Sequence, residues 1–456
     1  MSDAPQAPVT ALLAEHCRGM RFETLPGEVI FSARQCLLDW LGVTLAGAGE
    51  PLSRMLREDA LADGGSPQAT LIGSGERVTA KQAALVNGAA SHALDYDDVV
   101  LAMSGHPSVP VWPALLALAE WRGGSARDVL AAFVAGFEME SRIGMLVMPA
   151  HYTVGFHSTG TLGTFGAAAA CAHLLGLDQE QWQRALGIAG AQAAGIKSMF
   201  GTMCKPLHAG KAAANGLFAA LMAERGFTSN PEVLETAQGF AATQTTSPNV
   251  ERALAGLGER FAVRDTLFKY YAACYGTHET IEGVKRIAER QHLGPATIEN
   301  IQLVVPKGHL AMCNIQEPAT ALEGKFSLRF TAALALARGR AGEEQFTDEA
   351  VRQPDLVAVR DRVAVVPQEG DWERGTLVSL RTTDGREFSE QVNLNIPAAD
   401  LDQQWKRLEA KFRSLAIPVV GEGQAETLVQ CVASFESAPS VAELVSLAAR
   451  PVVGVA

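Results

Sequence analysis

The stretch TLVSLRTTDGREFSEQV, residues 376–392, decides how this chain folds. Residues 376–382 and 387–392 read as two strands, and Asp384-Gly385 between them suits the positive backbone angles of a tight turn. Upstream, Ile301, Leu303 and Val305 alternate with polar neighbours and stop at Pro306, which reads as another strand. Residues 362–366 make a fourth. Helical stretches at 279–291 and 326–338 lie among them, so residues 266–392 read as a smaller α+β domain.

Ahead of residue 266 almost nothing alternates with period two. Over 28–45, Val29, Ala33, Leu37, Trp40, Leu41 and Leu45 recur at three- and four-residue spacing, an amphipathic helix. Residues 66–74 are a linker or short hairpin; 80–94 and 112–121 are helical. Ser125 is placed to cap a helix through 143, and Asp178 to cap one carrying Trp182, Leu186 and Ile188. An alanine-rich helix follows at 210–226. Beyond the strands, 401–416 is helical again, with Trp405, Leu408, Phe412 and Leu415 on one face, and two short helices follow. The simplest arrangement returns this tail to the first part. The expected fold is mostly α: a large all-helical domain from 1–265 and 393–456, with 266–392 as an α+β lid domain.

Length and composition agree with a globular chain of more than one domain, since 456 residues with 48% hydrophobic and 19% charged side chains can fill a large core. A formal charge of -12 argues against a nucleic-acid or anionic-membrane surface, and an anionic substrate would need a local cluster of cations. The amino terminus lacks a basic segment followed by an apolar run, and no stretch reads as a membrane span. The nearest candidate, 160–177, is rich in Gly and Ala and carries His173, which fits a buried helix. Seven scattered cysteines without a CxxC pair point to reduced thiols, a cytoplasmic setting and no zinc site.

Four polar stretches interrupt this apolar composition. SHALDYDDVVLAMSGHPSVP (91–110) sets Asp95, Asp97, Asp98 and His106 within twelve residues, where burial would hold a proton on at least one carboxyl. The bland reading is that Asp97 and Asp98 cap a helix or face solvent, while His106 packs in a turn before Pro107. GFHSTGTLGTFG (155–166) puts His157 ahead of glycines that either aim amide N–H groups at an anion or let helices pack tightly. GTMCKPLHAG (201–210) places Lys205 and His208 just before a helix, where a lysine is unfavourable unless an anion sits there. FKYYAACYGTH (268–278) holds Lys269, Cys274, Tyr275 and His278 at the domain boundary. GxGxxG after a strand, GxxxxGK[ST], GxSxG and HExxH are all absent. A cation on Asp95, Asp97 and Asp98 would have to recruit ligands from elsewhere. The remaining inventory of His, Lys and Asp is that of proton transfer on an anionic substrate.

Together these stretches resemble the MmgE/PrpD family, whose members include 2-methylcitrate dehydratase, cis-aconitate decarboxylase and iminodisuccinate epimerase. HALDYDD with GHPS, GFHSTGTLG, KPLHAGKAAANG, KYYAACYGTH and LEGKFSLRF (322–330) stand in the family's order over nearly the whole chain. The resemblance implies a homodimer of helical domain plus lid, working on a small di- or tricarboxylate without metal or organic cofactor. It assigns catalytic roles to Asp95, His106, His157, Lys205 and Lys269; Lys325, His208, Cys274 and Tyr275 count as substrate-binding, and Asp97 and Asp98 as structural. A proton α to a carboxylate would be removed, and the intermediate would lose hydroxide, lose carbon dioxide or be reprotonated. Two departures stand out: Val99 occupies a threonine position of the dehydratases and decarboxylases, and Cys274 a histidine position of the decarboxylases. Both argue against cis-aconitate as substrate and leave a dehydratase-like lyase or an epimerase. The competing reading is a catalytically degenerate carboxylate binder or scaffold.

Overall fold

The computed structural model describes residues 7–368 and 375–449, which divide into one unit running to Phe268 and resuming at Ala398, and a second, Lys269–Pro397. Small side chains set the packing of the first. Helix Ser158–Leu174 is buried along nearly its whole length and packs against helices Ser108–Arg122, Ala126–Val147 and Cys204–Glu224. Its glycines serve that contact: a Cβ at Gly163 would lie 2.5 Å from Pro110 and one at Gly166 2.5 Å from the Glu140 carboxylate. Gly88 of helix Ala80–His92 likewise meets Gly210, where a Cβ would come within 2.8 Å of the partner's Cα. Close backbone approach is therefore what the glycine run achieves, and no anion cradle is needed to explain it.

Helix starts follow local chemistry. Ser125 and Asp178 each cap their helix with a reciprocal box to the third residue, Asp128 and Gln181. Helix Cys204–Glu224 begins six residues earlier than the sequence pattern suggests. Pro206 reads as a breaker, yet in a first turn its missing N–H has no intrahelical partner to lose. The unit is not wholly helical: Ala69–Thr70 pairs with Arg77–Val78, so residues 66–74 belong to a short hairpin, pinned by Thr70 donating to Glu120.

Helix Gly27–Gly47, rather than 160–177, is long and apolar enough to cross a membrane, with mean hydropathy 1.3; 78% of that window is buried inside the protein. It packs against helix Leu401–Val420, and the two share a buried ion pair. Lys411 Nζ lies 2.6 Å from Asp39 Oδ1 and 2.6 Å from the Tyr96 carbonyl, so helix Leu401–Val420 anchors the loop that follows His92. Replacing Lys411 with Met strands the Asp39 carboxylate in the core and is expected to cost about 3 kcal/mol. Adding Asp39→Asn should recover much of that loss. Urea unfolding of both variants checks this; a double variant as unstable as the single would refute it.

The second unit is a four-stranded mixed sheet in the order Val363–Gln368, Ile298–Pro306, Thr376–Thr382, Glu387–Val392. The first pair is parallel and the others antiparallel, with Leu303 opposite both Val365 and Val378. The 376–392 hairpin closes through Gly385 at φ 86°. Ile301, Leu303, Val305, Val378 and Leu380 are buried on the face that helix His278–Gln291 covers, where Gly283 packs onto Val378. Polar Asn300, Gln302, Ser379 and Arg381 occupy the opposite face.

Candidate active site

Helix Ala80–His92 ends in a turn that places Asp95 in the left-handed backbone region, φ 52°, a conformation Asp tolerates better than most side chains. The Asp95 carboxylate accepts from Lys205 Nζ at 2.5 Å. Lys205 sits in the first turn of helix Cys204–Glu224, so the anion that its position demanded is supplied by the protein itself. Phe200 lies beneath the ammonium, 5.5 Å from Nζ to the ring centre.

Asp97 is fully buried and joins two imidazoles. Its oxygens lie 2.9 Å from His92 Nδ1 and 2.9 Å from His106 Nδ1. The His106 Nδ1 is also 2.9 Å from the Asp98 carbonyl. Carbonyl and carboxylate oxygens only accept, so both Nδ1 atoms carry hydrogen, and in the neutral form of either ring the lone pair is on Nε2. Burial raises the Asp97 carboxyl, but the two imidazole donors outweigh it and hold the group ionised, well below the usual carboxylate range. Burial pushes the His92 imidazole down to about 4, and its Nε2 has no hydrogen-bond partner among the described residues. The His106 Nε2 faces Asp95 at 3.9 Å, and its backbone N–H donates to Thr159.

His157 is the residue before helix Ser158–Leu174, 2% exposed, with its Nδ1 2.9 Å from Nδ1 of half-buried His208. The His92 ring stacks on it at 5.8 Å, and Phe200 meets it edge-on at 5.0 Å. Burial first, then the charges of His92 and Lys205, hold His157 well below the ordinary histidine value. The first unit thus gathers Asp95, His106, His157, Lys205 and His208 around one point.

Within the second unit, Lys269 is buried at 1% exposure. Lys325 is also buried, and its ammonium reaches both oxygens of Glu343 at 2.8 Å. The Cys274 N–H donates to the Lys325 carbonyl, and the Tyr275 hydroxyl donates to the Leu394 carbonyl at 2.7 Å. Lys325 and Tyr275 therefore use their polar atoms on the protein in this conformation.

Asp98 departs from Asp97 in role. It accepts from the backbone N–H of Ser108 at 3.2 Å and from the Ser108 hydroxyl at 2.5 Å, which caps helix Ser108–Arg122. Burial, then the charges of Asp39 and Asp97, push its carboxyl up to about 8. A folded-state value above the ordinary one means the native protein holds a proton that the unfolded chain releases. Its stabilisation is complete below about pH 4 and is lost as pH rises toward 8. Asp98→Asn removes that dependence, so its stability relative to the native protein should climb by at most about 1.4 kcal/mol per pH unit across this window. Urea midpoints at pH 5, 6.5 and 8 check this; parallel slopes would count against it.

Ligand-type atoms of His92, Asp95, Asp97 and His106 fall within 4.8 Å of one another, a set able to surround a cation. Lys205 already faces Asp95, and Asp97 already accepts two imidazole donors, so these charges are met without one. Val99 is buried, its backbone bridged to Leu267, and it brings no hydroxyl to the cluster.

Sequence reading set Asp97 aside as structural and passed over His92. Asp97 lies against both rings; it fixes the tautomer of His92 and shares that of His106 with the Asp98 carbonyl. The only trace in the sequence is the spacing of His92 and Asp97, five residues apart across a helix end, which means nothing until the turn is known.

Two family models match the chain, the MmgE/PrpD N-terminal domain over residues 11–253 and the MmgE/PrpD C-terminal domain over residues 271–437. A Homo sapiens protein named cis-aconitate decarboxylase is 28% identical over 459 residues, covering 97% of this chain and 95% of its own. Cis-aconitate decarboxylase of Aspergillus terreus strain NIH 2624 is 26% identical, covering 97% and 96%, and that of Mus musculus 28%, covering 97% and 94%.

Proposed function

Because the chain belongs to the MmgE/PrpD family, we propose that it is an acid–base enzyme that removes a proton α to a carboxylate of a small di- or tricarboxylate, without metal or organic cofactor. The observation that carries this reading is the pairing of Lys205 with Asp95 beside imidazoles whose Nε2 atoms are left as bases. Lys205 meets a substrate carboxylate and stabilises the enediolate that forms when the proton leaves. His106, with Nδ1–H held between the Asp98 carbonyl and the Asp97 carboxylate, presents Nε2 as a base; neutral His157 faces the same point.

The relatives' names favour a lyase acting on a tricarboxylate, and decarboxylation of cis-aconitate belongs first among the reactions to assay. Val99 argues against decarboxylation and equally against a threonine-assisted loss of hydroxide, because it cannot donate a hydrogen bond, and it leaves reprotonation the least affected fate. A carboxylate-binding homologue without turnover is the second reading, and Val99 favours it too.

Incubation in deuterium oxide with cis-aconitate and a panel of hydroxy- and amino-dicarboxylates separates them. An enzyme of this kind incorporates deuterium at the α-carbon of at least one acid and converts it. Saturable binding of an acid with no exchange and no product would sink the catalytic reading in favour of the binder.

A further inference from the structure

Two imidazoles joined through their Nδ1 atoms, one buried and one reaching the surface, have the layout of a proton wire. His157 and His208 meet at 2.9 Å between Nδ1 atoms, so one must donate a hydrogen and the other must accept it. The chain makes room for this contact. Gly195, at φ 148°, lies under the His208 ring, where a Cβ would come within 3.4 Å, and one at Gly160 would press on His208 Cβ at 3.1 Å. The Gly195 carbonyl also accepts from the His157 backbone N–H at 3.0 Å, which fixes the inner ring's position.

We propose that His157 and His208 form a two-imidazole relay in which His208 carries the substrate's proton between buried His157 and solvent. The chemistry rests on the acid–base reading above; the shared hydrogen rests on geometry alone. His157 takes the proton at Nε2 and passes its Nδ1 hydrogen to Nδ1 of His208. His208 then releases its Nε2 hydrogen to water. One proton enters, one leaves, and neither ring changes its net charge. Burial and Lys205 hold both rings below the ordinary histidine value, with His92 and His106 adding to the effect at His157, so both are neutral near pH 7 and ready to conduct.

His208→Asn tests this, because an asparagine amide keeps a hydrogen-bonding group near the Nδ1 position but cannot pass a proton through. The relay predicts that washout of the α-deuteron into water slows by about a hundredfold relative to turnover, with KM little changed, and that added imidazole restores it. Full washout in His208→Asn, or a loss confined to KM, would overturn the relay and leave His208 a binding or packing residue. Nitrogen-15 NMR of the unliganded protein gives a readout independent of activity. A coupling across the hydrogen bond between the two Nδ1 nuclei is expected, absent in His208→Asn. If no acid exchanges with the native protein, the functional reading fails by itself, and this coupling still decides whether the rings share a proton; two uncoupled Nδ1 atoms would end the proposal.

Discussion

Lys205→Ala lowers turnover of the protein's own substrate by about a thousandfold or more while the fold is retained. The ammonium-bearing residue is 8% exposed and sits 2.5 Å from Asp95, and in the proposed reaction it meets the charge that develops when an α-proton leaves. Removing it deletes the cation that stabilises an enediolate and releases Asp95 from its partner. Lysine is preferred there because a compact point charge fits between Asp95 and the Phe200 ring, so Lys205→Arg, with its broad planar fork, should rescue little. Steady-state kinetics and deuterium exchange measure the loss, and circular dichroism confirms folding. Retention of more than a tenth of the native rate would remove Lys205 from the chemistry.

Asp97→Asn should lower kcat by about a thousandfold, less than where an amide also forces a catalytic imidazole into the wrong tautomer, because the Asp98 carbonyl still holds the His106 hydrogen on Nδ1. Asp97 accepts from two rings at once. His106 keeps its hydrogen on Nδ1, where the Asp98 carbonyl also accepts it, whereas His92 lies against both Asp97 oxygens and meets the new amide nitrogen unless the amide N–H₂ turns away. What His106 loses is the negative charge beside it that would stabilise its imidazolium once it has taken a proton. The substitution is close to isosteric, and melting curves measured alongside those of the native protein separate lost chemistry from lost folding. Nitrogen-15 shifts should show His106 keeping its hydrogen on Nδ1. A tenfold or smaller loss in kcat would return Asp97 to a structural role.

The two carboxylates at positions 97 and 98 show where sequence reading stops. Both belong to one motif and both are fully buried, yet one holds two imidazoles and the other caps a helix with its carboxyl pushed up to about 8. Neighbouring residues in a turn point in different directions, and direction is set by packing partners far along the chain. Ser108 reaches Asp98 from ten residues on, and Lys411 holds the Tyr96 carbonyl from helix Leu401–Val420. The lysine at 205 is a milder case. Its place near a helix start announced an anion, but the anion proved to be Asp95, 110 residues away.

Local patterns needed no such help. Period-two alternation around Asp384-Gly385 marks the hairpin, three- and four-residue spacing marks the long helices, and Ser125 and Asp178 mark two helix starts, because these signals act between residues already close in the chain. The family motifs likewise name most of the polar residues that cluster in the first unit. Tertiary structure alone decided what those residues do to one another: that His92 and His106 bear hydrogen on Nδ1, which carboxylate stays charged, and that His157 reaches His208. Hydrogen-bond direction and pKa depend on atoms brought within about 3 Å and on the water they exclude, and a linear chain specifies neither until it has folded.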